Sequence, residues 1–125
     1  MLTLLDIELE GLPPSVNRMY GQKGNHSYKR TDAREWQEYA ERELREEWGD
    51  KPSMKSPLEL SLEYTTRDHR KWDMDNRIKA VQDTLQYAAV IADDRLIERL
   101  HVMRKYGERN ATRIILRVIE EDEDE

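Results

Sequence analysis

Apolar and polar residues alternate along positions 2–10. Leu5, Ile7 and Leu9 fall on one side, and Asp6, Glu8 and Glu10 on the other. A period of two over that length predicts a half-buried strand. Gly11-Leu12-Pro13-Pro14-Ser15 ends it, because proline lacks an N–H and fixes φ. Val16 to Tyr28 carries turn residues at Gly21 and Gly24-Asn25 and reads as a loop or an irregular hairpin. Thr31 or Asp32 then caps a segment with a different period. Trp36, Tyr39, Ala40, Leu44 and Trp48 follow helical spacing as far as Gly49, a natural C-terminal stop. Lys51 to Ser56 is a connecting loop.

The period of two returns at Leu58, Leu60, Leu62 and Tyr64, which alternate with Glu59, Ser61, Glu63 and Thr65. Arg67 to Trp72 is a charged loop or strand end. A second helix runs from about Asp75 to Ala89, with Ile78, Val81, Leu85 and Ala88 on one face. Leu96 to Arg104 and Thr112 to Ile119 are strands separated by a turn at Gly107 to Asn110. The order predicts an α+β or mixed α/β layer, one sheet covered by two helices, in a single domain over residues 1–119.

Composition changes this picture little. The chain has 125 residues, enough for one domain. With 37% hydrophobic and 38% charged residues its core is modest, which favours a dimer that shares apolar surface. There is no cysteine, so disulfides and thiolate metal sites are excluded. No apolar run reaches the ~18 residues of a membrane span, and no signal peptide is recognisable, which fits a cytoplasmic location. The net charge of −6 belongs to the acidic run Glu120–Glu125; the body of the chain is balanced. That run, residues 120–125, reads as a disordered tail. Discounting it weakens the objection that an acidic protein should not bind nucleic acid.

The chemistry lies in Lys71-Trp72-Asp73-Met74-Asp75-Asn76-Arg77-Ile78-Lys79, with Asp83 and Asp93-Asp94 beyond it. At about 100° per residue, Asp75, Asn76, Lys79 and Asp83 form a stripe on the helix face away from the core. Asp73 and Asp75 are next-but-one neighbours, and in an extended segment both carboxylates point the same way. Mg²⁺ takes such oxygen ligands together with water and substrate phosphate, and a neighbouring lysine can offset charge on a scissile phosphate. The stretch therefore reads as a metal-dependent phosphodiester-cutting site. Plainer explanations exist for each part: Asp75 as a helix cap, Asp75–Lys79–Asp83 as surface ion pairs, Asp93-Asp94 as a turn. Three separate explanations are then needed for adjacent features. A helix of this length also leaves Asp93-Asp94 about 20 Å from Asp73 at 1.5 Å per residue. His26, His69 and His101 lack the spacing of a metal pair. The basic residues of the last two strands suit a solvated sheet face or a phosphate-contacting one equally.

The chain resembles the RusA family of Holliday-junction resolvases, largely of bacteria, phages and prophages. Gly11-Leu12-Pro13-Pro14-Ser15-Val16-Asn17-Arg18-Met19-Tyr20 looks like the family's Pro-Pro-Ser-x-Asn-x-x-Tyr segment. Asp73-Met74-Asp75-Asn76-x-x-Lys79 looks like its Asp-x-Asp-Asn-x-x-Lys core, with Asp83, Leu85 and Asp93-Asp94 continuing the pattern. The resemblance covers roughly residues 5–119. It implies a RusA-like fold and a homodimeric, Mg²⁺-dependent endodeoxyribonuclease of DNA recombination and repair. Such an enzyme nicks two opposed strands of a four-way junction symmetrically. It implies that Asp73, Asp75 and Asp94 are catalytic metal-binding carboxylates, that Lys79 is the catalytic lysine, and that Asp93 supports the metal site. It also implies a fold that brings the late Asp pair to the early one. Asn17, Tyr20 and Asn76 match as positioning residues. The competing readings are a branched-DNA-binding protein without catalysis, and a protein-binding phage accessory factor whose acidic tail mimics DNA.

Overall fold

The computed structural model describes residues 1–15, 20–23, 26–29 and 31–120, with side chains for 1–15 and 33–120. The proposed caps Thr31 and Asp32, the positions Asn17 and Tyr20, and the acidic tail past Glu120 lie outside the described side chains. The strands are β1 (Leu2–Glu10), β2 (Tyr20–Lys23), β3 (His26–Lys29), β4 (Leu58–Thr66), β5 (Ile97–Tyr106) and β6 (Ala111–Val118). The helices are α1 (Thr31–Trp48) and α2 (Ile78–Tyr87), with 3-10 turns at Asp75–Arg77 and Asp94–Leu96. β2 and β3 form a separate antiparallel pair. The other four make one mixed sheet in the order β1-β6-β4-β5, antiparallel except between β4 and β5.

The alternation read in the sequence becomes the two faces of this sheet. Leu58, Leu60, Leu62 and Tyr64 of β4 are buried beside Leu5 and Leu9 of β1 and Ile114 and Leu116 of β6. Against them pack Ala40, Leu44 and Trp48 of α1 and Val81 and Leu85 of α2 in one continuous core. Both helices therefore cover the same face. Among the described residues, none of the helices is long and apolar enough to cross a membrane.

The opposite face is a charge ladder. Arg113 on β6 reaches Asp6 of β1 at 2.7 Å and Glu63 of β4 at 3.5 Å. Lys105 on β5 meets the same Glu63 at 2.9 Å, and His101 sits on Glu59. The cations Arg113 and Lys105 are neutralised by their sheet neighbours, which supports the solvated-face reading of them over the phosphate-contacting one.

The Gly107–Asn110 turn does not close a hairpin, because β4 lies between β5 and β6. The turn instead crosses the end of β4, where Gly107 N–H donates to Thr66 O at 3.1 Å. A Cβ on Gly107 would stand 2.7 Å from Thr65 Cγ2, so no larger residue fits this crossing without a shift. Asn110 binds the neighbouring chain ends together. Its side-chain oxygen accepts from Arg67 N–H at 2.9 Å, and its carbonyl accepts from Gly11 N–H at 2.9 Å. This end of the sheet launches the segment that carries the early aspartates.

Candidate metal and phosphodiester site

Asp73 lies in the irregular segment that follows β4, and Asp75 opens the 3-10 turn leading into α2. Between them Met74 is helical, with φ −64° and ψ −43°. The two carboxylates therefore converge because the chain is already turning into a helix, and not through the extended geometry inferred from the sequence. Their proximity has an electrostatic consequence. A hydrogen bond to the Asp75 carboxyl, and then the Asp75 charge itself, push the Asp73 carboxyl above the usual carboxylate range. Asn76 donates its side-chain amide to Asp73 Oδ2 at 2.7 Å. The N-cap positions of the 3-10 turn and of α2 are Met74 and Arg77, neither of which makes a side-chain capping bond, so Asp75 occupies neither cap position.

Lys79 follows Asp75 by four residues, one turn into the helix, and pairs with Asp83 at 3.3 Å. The i,i+4 ion pair proposed as the plainer explanation is thus present between Lys79 and Asp83. It leaves Lys79 half exposed.

The late pair sits past the far end of α2. Asp93 accepts from Arg95 N–H at 2.8 Å and binds the Arg95 guanidinium at 2.9 Å, which caps the Asp94–Leu96 turn. Those hydrogen bonds from the Arg95 side chain, and then from its backbone, hold Asp93 down at about 2. Asp93 is committed to Arg95 and also shares a hydrogen bond with the Asp94 side chain. Among the described residues, no three His, Asp or Glu side chains stand close enough to share one metal ion. One chain therefore joins Asp73 to Asp75 and does not add Asp94 to them.

The Asp73–Asp75 pair is nevertheless chemically suited to a hard divalent ion. Mg²⁺ needs only one or two carboxylates, completing its octahedron with waters and substrate phosphate. Two exposed carboxyls held together with no ion pair of their own among the described residues form a cluster whose repulsion a bound cation relieves.

The sequence assigns no role to Trp72, the residue directly before Asp73. Trp72 presents its ring edge-on to Tyr64 at 4.9 Å between centroids. The Arg77 guanidinium lies over the same ring at 4.5 Å and that of Arg104 at 5.5 Å. With Arg70, Lys71 and Asn110, the side chains of Trp72, Arg77 and Arg104 line a groove of about 360 Å³. The only hint in the sequence is a tryptophan directly before Asp73 with an arginine five residues later.

Known proteins resemble the chain along almost this whole length. A model of the family described as Endodeoxyribonuclease RusA matches residues 10–118. A protein of Aquifex aeolicus (strain VF5), described as Crossover junction endodeoxyribonuclease RusA, is 33% identical over 103 residues, covering 81% of this chain and 80% of that protein.

Proposed function

The chain belongs to the RusA family of endodeoxyribonucleases, and from that membership we propose that it cuts four-way DNA junctions with magnesium held at Asp73 and Asp75. The observation that carries the reading is the convergence of these two carboxylates, neither of which caps a helix or pairs with a cation among the described residues. Asn76 keeps Asp73 oriented, as outer partners of metal-ligating carboxylates do. A magnesium ion there would supply a Lewis acid to a phosphate oxygen and lower the pKa of a bound water. Lys79, four residues beyond Asp75, places its ammonium group to balance the negative charge that develops on the phosphate as the bond breaks. Asp83 sets where that ammonium sits.

In this reading the protein works as a homodimer, and the second copy supplies Asp94 to the Asp73–Asp75 pair. Two considerations support it: among the described residues no third carboxylate joins that pair, and a four-way junction needs two symmetric cuts. The two-fold axis of a dimer then matches that of its substrate. Recognition rests on phosphate positions and branch shape more than on bases. The protein would meet its junctions in the cytoplasm.

The test uses purified full-length protein and a synthetic four-way junction, with Mg²⁺ or EDTA, followed by mapping of the cut strands. Paired nicks at symmetric positions in Mg²⁺ alone are expected. Junction binding without any cutting would mean a branched-DNA-binding protein instead.

A further inference from the structure

We propose that Trp72, in contact with both Arg77 and Arg104, is a positioning residue that fixes Asp73 for metal binding. The inference rests on the magnesium-dependent reading above and assigns a role to side chains outside the Asp73–Asp75 pair and Lys79. Asp73 ends a segment after β4, residues 67–73, that belongs to no strand or helix. A carboxylate on such a segment is placed only as well as its neighbours are. The residue directly before it is where several anchors meet.

Tyr64, fully buried in β4, supports one edge of the Trp72 ring. Arg77, over the ring at 4.5 Å, also donates from Nη1 to Pro13 O at 2.7 Å, which ties the 3-10 turn to the segment after β1. Arg104 comes from the end of β5. It donates from Nε to Thr66 Oγ1 and from Nη2 to Asp68 O, both at 3.0 Å, so it straps the start of the same segment to the sheet. Arg104 also lies over Tyr106 at 4.9 Å, and Tyr106 stacks on His69 at 4.2 Å. Asp73 is therefore bracketed. Trp72 holds the chain before it, the Arg77 turn holds the chain after it, and both meet on one indole ring. Cation–π contacts suit this task because the planar guanidinium can stack and donate laterally at the same time.

A competing role for the arginines is direct contact with DNA phosphates. The two roles separate on charge. A phosphate contact tolerates Arg104→Lys in large part, whereas the strap needs the two divergent N–H donors and the flat face that lysine lacks.

The experiment compares wild type, Trp72→Leu, Trp72→Phe and Arg104→Lys by three measurements. These are amide hydrogen exchange of metal-free protein over residues 67–77, junction binding in EDTA, and the Mg²⁺ dependence of single-turnover cleavage. Trp72→Leu and Arg104→Lys should each speed exchange in 67–77 about tenfold, while Leu58–Thr66 exchanges as in wild type. Junction affinity should stay within about threefold. The cleavage rate should fall by about 10- to 100-fold, the scale on which small misplacements of a catalytic group act, with a higher Mg²⁺ requirement. Trp72→Phe should recover most of both. Unchanged exchange in Trp72→Leu, or an Arg104→Lys protein that exchanges and cleaves like wild type, would overturn the inference. If wild type itself cut no junction, the proposed activity would fall, and the exchange data alone would decide the positioning role.

Discussion

Asn76 donates its side-chain amide to Oδ2 of Asp73 across 2.7 Å, three residues further along the chain. The other polar neighbour of Asp73 is the Asp75 carboxyl, which repels it once both are ionised. One contact orients the carboxylate and the other makes it ready to accept a cation. Asn76→Ala should therefore lower cleavage by about 10- to 100-fold, the usual effect of losing an outer partner of a metal ligand, and leave junction affinity unchanged. Single-turnover rates beside binding in EDTA check both halves. An equal loss of affinity would mean that Asn76 touches DNA instead.

A second expectation concerns the end of α2. Ala88 caps the helix, and Ala89 follows with φ +61°. Val90 N–H donates back to Leu85 O at 3.0 Å and Ala89 N–H to Gln86 O at 3.0 Å, the bonding pattern of a Schellman stop. Arg45 and Ser53 satisfy the Tyr87 and Ala89 carbonyls at 2.8 and 2.6 Å. A side chain in the left-handed region costs about 1–2 kcal/mol, against roughly 0.4–1 kcal/mol for the extra freedom of glycine when unfolded. Ala89→Gly should then stabilise the fold by about 0.5–1 kcal/mol, read as a higher denaturation midpoint with cleavage unaltered. A lower midpoint would show that the methyl group packs in a way the backbone does not reveal.

The sequence revealed elements better than it revealed their neighbours. β1, β4 and α1 were legible because each buries one clean face, so the period of their apolar residues survives. β5 is an edge strand with Leu100, Met103 and Tyr106 exposed, and its alternation is blurred accordingly. That β4 would sit between β5 and β6 was not legible, since pairing is a non-local choice that neither strand encodes alone. Of the expected stripe, Lys79 and Asp83 pair on α2, whereas Asp75 and Asn76 belong to the 3-10 turn before it, because the helix starts at Ile78 and not at Asp75. The helical Met74 did not follow, because two aspartates with one residue between them suit an extended segment and a turn equally. The Arg77–Trp72–Arg104 stack joins residues up to 32 positions apart and leaves no periodic trace. Arg95 adjoining Asp93-Asp94 was visible, but its bond to Asp93 depends on the turn conformation.

The charge ladder on the open sheet face predicts a specific pH dependence. Hydrogen bonds from Arg113, and its charge, lower the Asp6 carboxyl below the usual range. A group whose folded pKa is depressed stabilises the fold above its unfolded pKa and loses that contribution as pH falls through the folded value. Asp6→Asn should lower the melting temperature slightly at pH 7, an exposed pair being weak, and the gap should close under strong acid. Raised salt should shrink the gap at pH 7 as well. Melting curves of both proteins at the two pH values check this, and a gap that widens on acidification would count against the pair.

The proposed dimeric site can be tested by mixing two proteins each expected to be inactive. Asp75→Asn and Asp94→Asn should each abolish cleavage while preserving junction binding, because each removes one carboxylate and no phosphate contact. In a heterodimer of the two, the outcome depends on where Asp94 acts. If each site takes Asp75 from one copy and Asp94 from the other, one site of the heterodimer carries both lesions and the second carries neither. Subunit exchange should then restore nicking of a single strand, to at most half the heterodimer's sites, without paired cuts. If Asp94 swings to Asp73 and Asp75 of its own chain, every site holds one lesion and the mixture stays inactive. The structure favours the first outcome, since Asp94 lies past the C-terminal end of α2 and Asp75 just before its N-terminal end, a helix of 10 residues between them. Mixtures are refolded together or exchanged at low concentration, and strand-specific end labels report which arm is cut. Inactive mixtures, with heterodimers verified by mass, would place all three carboxylates in one chain and require that chain to rearrange.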